Sequence, residues 1–212
     1  VDDEGRILGA HGGENVRILA RNDARMQGWS RNMTWPDTGL AWIPTSPNIP
    51  TLDSVAGYPM TGLGAQMGNF KHGIGTKYPF RFLTFEGKSS SDLKRALEGL
   101  KLSGLSYKIM NTYDSDGKSI EGVYVVISDW VAWKPTELAF AMMKLTADWQ
   151  SPNPFHLAKK SEITLFNKHV GSLLWWDHLA SKQRSIDPKP FLQKWEMQAS
   201  AFRRDTANYL LY

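Results

Sequence analysis

The residues best suited to chemistry lie early in the chain. Gly28-Trp29-Ser30-Arg31-Asn32-Met33-Thr34-Trp35, Thr38-Gly39-Leu40-Ala41-Trp42 and Pro44-Thr45-Ser46-Pro47-Asn48-Ile49-Pro50 follow one another closely. Tryptophan faces bind the C–H surface of a sugar, while Arg31, Ser46 and Asn48 supply directional hydrogen bonds to hydroxyl, acetamido or carboxylate groups. A carbohydrate or peptidoglycan fragment suits this set. The same prolines and tryptophans could instead pack on one another to hold long loops, and from residue types alone both readings are open. A second segment, His72-Gly73-Ile74-Gly75-Thr76, is a glycine-flanked turn that either aims backbone N–H groups at an anion or is a tight bend.

Other chemistries find no support. The five histidines show no pair at zinc-protease spacing and cysteine is absent, so no metal and no cofactor is expected. Asp114, Asp116 and Glu121 lack the ligand spacing of a calcium loop. There is no phosphate-binding Gly-x-x-x-x-Gly-Lys motif and no Gly-x-Ser-x-Gly nucleophile elbow. With 25 basic and 21 acidic residues scattered along the chain, a nucleic-acid partner is not implied. The longest apolar run, Val123 to Trp133, is cut by Asp129 and falls short of the roughly 20 residues of a membrane-spanning helix. The acidic Asp2-Asp3-Glu4 is no signal-peptide n-region, so any targeting segment is expected to lie upstream or to have been removed.

The elements that must position these residues change in kind near Ser89. The 212 residues, 42% of them apolar, suit one compact domain. Residues 1–15 read as a linker or arm, 16–88 as a loop-rich, pocket-facing part, and 89–212 as an α+β scaffold. In the first half a strand is expected at Val16 to Ala20. Beyond it Pro36, Pro44, Pro47, Pro50, Pro59 and Pro79 break any helical period, which leaves loops and short strands. From Ser89 a capped helix buries Leu93, Ala96, Leu97 and Leu100, with Gly104 just beyond its end. Strands Leu105 to Thr112 and Glu121 to Ser128 form a hairpin over the turn Asp114–Gly117. Thr136 precedes a helix with Leu138, Met142, Leu145 and Trp149 on one face, ended by Ser151-Pro152-Asn153-Pro154. A shorter helix is expected over Gly171 to Ser181, and Asp187-Pro188 starts one that buries Phe191, Trp195, Ala199 and Phe202. Without a regular βαβ rhythm, the fold class is α+β, with short barrel-like or mixed strands in the loop-rich half and helices mainly in the C-terminal half.

The motifs Gly-Trp-x-Arg-x-Met-x-Trp, Thr-Gly-Leu-x-Trp and Pro-x-Ser-Pro-Asn-x-Pro, in this order, resemble those of the NamZ-type exo-β-N-acetylmuramidases of bacteria. The resemblance continues through Tyr58-Pro59, Asn69, Gly73-x-Gly75-Thr76, Pro79-Phe80, Glu121-Gly122-Val123, Ser128-Asp129 and the terminal Phe202-Arg203-Arg204 and Tyr209-Leu210-Leu211-Tyr212. It covers the chain from about residue 16 to its end. It implies a Rossmann-like N-terminal domain upstream, absent from this chain, and a smaller C-terminal domain that completes the substrate pocket. The implied reaction releases a terminal N-acetylmuramic acid from peptidoglycan fragments, which become the implied substrate, in a secreted or periplasmic setting. Such hydrolysis needs carboxylates. The resemblance assigns them mainly to the first domain, so no catalytic residue is expected here. The implied substrate-binding residues are Trp29, Arg31, Trp42, Ser46, Asn48, Asn69 and His72, with Arg31 matching the lactyl carboxylate. Many relatives carry Glu-Gly-Thr-Asn and then Ser-Glu-Gly-Arg-Gly-Thr, where this chain has Gln66-Met67-Gly68-Asn69 and Lys71-His72-Gly73-Ile74-Gly75-Thr76. Two carboxylates and an arginine are missing, which leaves a non-catalytic sugar-binding or interaction domain as the alternative function.

Overall fold

A computed structural model describes residues 33–64, 67–181 and 186–209. Among these residues it is an α+β structure with an open, four-stranded antiparallel sheet rather than a closed barrel. The chain divides into two compact units, Ile43–Lys194 and a smaller one made of Val1–Trp42 with Trp195–Tyr212. The strand expected at Val16 to Ala20 lies outside the described residues.

The larger unit is built on the expected hairpin. Strand β3 (Leu105–Tyr113) pairs with β4 (Ser119–Ile127) over nine positions, from Leu105 opposite Ile127 to Tyr113 opposite Ser119. Asp114 closes the turn, its Oδ1 accepting the N–H groups of Asp116 at 3.0 Å and Lys118 at 2.8 Å. Strand β2 (Phe82–Phe85) joins the other side of β4, with Phe82 opposite Tyr124 and Leu83 opposite Val123, and β1 (Phe70–Lys71) lies outside it. The order is β1-β2-β4-β3, so Val123 and Val125 on an inner strand are fully buried.

Helices cover the apolar face of this sheet. Helix α1 (Leu52–Gly57) continues into a wider π-type turn, Tyr58–Gly62, where no helix was expected. Pro50 stands before the cap rather than inside the helix. Thr51 and Ser54 cap reciprocally, with each side-chain oxygen accepting the other's N–H at 3.2 and 3.0 Å. Pro59 falls at the start of the wide turn, where its missing N–H disrupts little. Helix α2 (Ser90–Gly99) is the expected one, capped by Ser89 and burying Leu93 and Leu97. Helix α3 (Pro135–Trp149) starts on Pro135, so Thr136, expected to precede the helix, lies inside its first turn. It is buried on more than the expected face. Leu138, Met142 and Leu145 join the sheet core, while Phe140 packs edge-on at 5.6 Å against Trp175 and Met143 Sδ accepts the Trp175 indole N–H at 3.2 Å.

Behind α3, three helices build an aromatic cluster: α4 (Pro154–Leu157), α5 (Lys160–Val170) and α6 (Leu173–Leu179). Phe155, Phe166 and Trp176 meet edge to face at 4.9 to 5.7 Å. The helix expected over Gly171 to Ser181 is α6, which Ser172 caps. Gly171, at φ +74°, ends α5, a helix that the sequence did not announce because only Phe166 of it is buried. Helix α7 (Lys189–Thr206) forms where expected, but none of its residues is fully buried and Phe202 is 68% exposed. From the expected stripe, Phe191 stacks in the larger unit, 5.1 Å from Trp175 and 5.2 Å from His178.

Candidate functional site

Trp29 and Arg31 lie outside the described residues. In the smaller unit, Trp42 is half-buried and meets Trp35 edge to face at 5.6 Å. Trp35 is pinned by its indole N–H to the Leu40 carbonyl at 3.0 Å. In front of it, Asp37 accepts from the N–H and hydroxyl of Thr34, both at 2.6 Å, and these bonds hold the Asp37 carboxyl below its ordinary pKa.

In the larger unit, Ser46 and Asn48 share one tight turn. Ser46 Oγ accepts the Asn48 N–H at 3.2 Å and the Ser46 carbonyl accepts the Ile49 N–H at 2.9 Å, which leaves the Asn48 side chain exposed. Asn69 and His72 flank β1. The Asn69 backbone is clamped, its N–H to Gln150 Oε1 at 2.9 Å and its carbonyl accepting from Glu86 N–H at 3.3 Å. His72 is buried and lines a small cavity with Met67, Phe70, Met142, Met143 and Thr146. The structure thus joins Ser46 to Asn48, and sets Asn69 and His72 at the two ends of a two-residue strand.

The segment after His72 is a self-bonded loop rather than an anion cradle. Thr76 N–H and Oγ1 both donate to the Gly73 carbonyl, at 3.0 and 2.8 Å, Tyr78 N–H donates to Thr76 Oγ1 at 3.0 Å, and Phe80 N–H donates to the His72 carbonyl at 2.6 Å. Gly73 is required: at φ +72°, a Cβ there would sit 2.4 Å from the Tyr78 carbonyl oxygen. The loop delivers Phe80 at φ +61°, a left-handed conformation that costs a non-glycine residue on the order of 1–3 kcal/mol. Thr61 Oγ1 holds it by donating to the Phe80 carbonyl at 2.9 Å.

What that conformation sets in place is Arg81, a site residue that sequence reasoning missed. Its guanidinium is buried, with 5% of the side chain exposed, and its Nε–H donates to the Val125 carbonyl at 2.9 Å. Nη1 forms a 2.9 Å ion pair with Oδ1 of Asp53, whose side chain is 63% exposed. The Tyr124 ring lies 5.2 Å from the guanidinium carbon, and its hydroxyl is 3.5 Å from Asp53 Oδ2. Tyr78 packs edge-on against Tyr124 at 5.2 Å. Burial, partly opposed by Arg81, raises the pKa of the Tyr124 phenol. A buried cation is costly unless it is paired and hydrogen-bonded, and here both conditions are met by a carboxylate that still faces water. One signal in the sequence pointed to it: Arg81 is a lone charge in Tyr78-Pro-Phe-Arg-Phe-Leu83, which otherwise reads as an apolar strand.

Among the described residues no group of three or more histidines and carboxylates could hold a metal, and no helix is long and apolar enough to cross a membrane.

Residues 56–212 match the family model described as exo-beta-N-acetylmuramidase NamZ, C-terminal, and residues 19–53 match the N-terminal model of the same family. The stretch from Gly28 to Asn48 therefore falls under the N-terminal model. The peptidoglycan beta-N-acetylmuramidase NamZ of Bacillus subtilis (strain 168) is 26% identical over 192 residues, which are 89% of this chain and 44% of that protein. The crystal structure of a DUF1343 family protein from Bacteroides fragilis superposes with a TM-score of 0.74 at 25% identity, over 94% of this chain and 56% of that one. The chain spans about half the length of these relatives. With the C-terminal model matched over well more than half of its residues, the chain belongs to the NamZ exo-β-N-acetylmuramidase family.

Proposed function

We propose that this chain is the pocket-completing C-terminal part of a peptidoglycan glycoside hydrolase that releases terminal N-acetylmuramic acid from cell-wall fragments. The observation that carries the reading is the order and extent of the family matches: residues 56–212 under the C-terminal model, preceded by the shorter run 19–53 under the N-terminal one. On this reading an N-terminal Rossmann-like domain of the same protein supplies the other wall of the pocket and the catalytic carboxylates. Arg31 pairs with the lactyl carboxylate, Trp29 or Trp42 stacks on the sugar, and Ser46, Asn48, Asn69 and His72 bind its polar groups. On this reading the protein works in a secreted or periplasmic setting, as the family resemblance implies.

The test is hydrolysis of a chromogenic N-acetylmuramic acid glycoside by the full-length protein, with the 212-residue chain alone in parallel. Release of the chromophore by the full-length protein only is expected. Failure to release it overturns the assignment, and turnover by the 212-residue chain alone moves catalysis into it. Arg31→Ala in the full-length protein is expected to weaken binding of the muramyl ligand without unfolding it; unchanged affinity removes that role.

One observation favours the second reading, a sugar-binding domain without the reaction. Where the family resemblance implies acidic residues and an arginine, His72 sits among methionines in a cavity smaller than the roughly 300–1,000 Å³ of ligand pockets. Binding of muramyl fragments without turnover by the full-length protein selects this alternative.

A further inference from the structure

The ion pair of Asp53 and Arg81 holds more than the fold asks of it. An apolar side chain would fill the Arg81 position without the desolvation cost of a guanidinium, and a surface carboxylate needs no buried partner. Instead, Phe80 is kept in a left-handed conformation beside it, Val125 fixes Arg81 through both backbone and side chain, and the result is one immobilised, solvent-facing carboxylate. Asp53 Oδ1 is taken by Arg81. Among the described residues, Oδ2 has the long 3.5 Å contact with the Tyr124 hydroxyl, and the Asp53 side chain is 63% exposed. Tyr124 stands beside it, with Tyr78 packed edge-on against that ring.

A fixed carboxylate next to aromatic rings suits a pyranose, because it accepts from neighbouring hydroxyls while the rings cover C–H surface. An exo-acting glycosidase must also read a chain end. The terminal sugar differs from an internal one in having a free hydroxyl at C4, next to the primary hydroxyl at C6, where an internal residue carries its neighbour. We infer that Asp53, positioned by Arg81 and flanked by Tyr124 and Tyr78, accepts the C4 and C6 hydroxyls of the terminal amino sugar and so selects the non-reducing end. This rests on the glycosidase reading above and names the group that recognises the substrate's terminus.

The test compares chromogenic N-acetylmuramic acid glycoside with its 4-deoxy analogue, using the full-length protein. A hydrogen bond to a charged group predicts that the deoxy compound loses about 10- to 100-fold in kcat/KM with the wild type. Asp53→Asn leaves a carbonyl oxygen for Arg81 and offers the sugar a neutral N–H₂ donor in place of a charged acceptor, so the deoxy penalty is expected to fall to the few-fold, roughly 2- to 10-fold, of a neutral hydrogen bond. Asp53→Glu keeps a charge for Arg81 and displaces the free oxygen by a methylene; it is expected to reduce the penalty too, and serves if the first variant does not fold. A merely structural role for Asp53 lowers both rates together and leaves their ratio untouched. An absent penalty in the wild type, or a full penalty retained in either variant, overturns the subsite and leaves the glycosidase reading standing. No turnover of the parent glycoside overturns the glycosidase reading. The same comparison is then made by calorimetric titration with N-acetylmuramic acid and its 4-deoxy form, where equal binding overturns the subsite as well.

Discussion

Arg81 and Val125 bind each other twice: the Val125 N–H donates to the Arg81 carbonyl at 2.8 Å, and the Arg81 Nε–H donates back to the Val125 carbonyl at 2.9 Å. The side chain thereby behaves as an extra rung of the ladder between β2 and β4. Arg81→Met keeps the aliphatic stem but withdraws that donor from a buried carbonyl. It is expected to cost about 1–3 kcal/mol of unfolding free energy. Urea denaturation with an unchanged slope checks this, and wild-type stability would mean that the carbonyl finds another donor.

Two glycines of one loop separate steric from conformational demands. Gly73 and Gly75 both have positive φ, at +72° and +82°, but only Gly73 has backbone in the way of a Cβ. Gly75→Ala is expected to cost roughly 1–2 kcal/mol, the strain of the left-handed conformation. Gly73→Ala adds a clash with the Tyr78 carbonyl and is expected to cost more. Equal losses by thermal or urea unfolding would contradict the loop geometry.

Tyr107 gives the protein an alkaline limit. Its hydroxyl is buried without a hydrogen-bond partner among the described residues, and burial, with a smaller push from Glu98, raises its pKa well above the usual 10. The folded state therefore holds this proton more tightly than the unfolded state, so the group adds no pH dependence below pH 10, where both states carry the proton, and opposes folding as pH rises beyond it. Tyr107→Phe is expected to flatten the loss of stability above pH 10. Near pH 7 it is expected to stay within about 1 kcal/mol of wild type, since the hydroxyl it removes is unsatisfied. Denaturation at pH 7 and pH 10.5 checks both halves.

The aromatic cluster is expected to be unforgiving. Phe166 is fully buried between Phe155 and Trp176, and Phe166→Ala is expected to cost about 3–5 kcal/mol. Replacing Phe202, which is largely exposed on α7, is expected to cost far less in the 212-residue chain. Thermal unfolding of the two variants side by side measures the difference.

Local signals account for what the sequence made legible. Leu93 and Leu97 behind a serine cap, and the β-branched run on each side of Asp114–Gly117, state their element within about ten residues, and both formed as read. Helix α1 was missed because its prolines were counted as breakers without regard to position, although Pro50 lies outside the cap. Helix α3 was read as one-faced because Leu138 and Met142 already made a stripe; its second face needed partners that come later in the chain, such as Trp175. The family was legible from motifs between Gly28 and Tyr58, even though the pocket residues it implied fall partly outside the described residues. Asp53, Arg81 and Tyr124 were not, because they are 28 and 71 positions apart and meet only once β2 has docked on β4.

Helix α3 is a wall shared by two rooms. Leu138 and Met142 face the sheet, while Phe140 and Met143 face Trp175 and the aromatic helices. Neither side can therefore empty without stripping the other of its lining, and opening on either side must lift the same helix. Its amides report the opening of the whole unit rather than of a part.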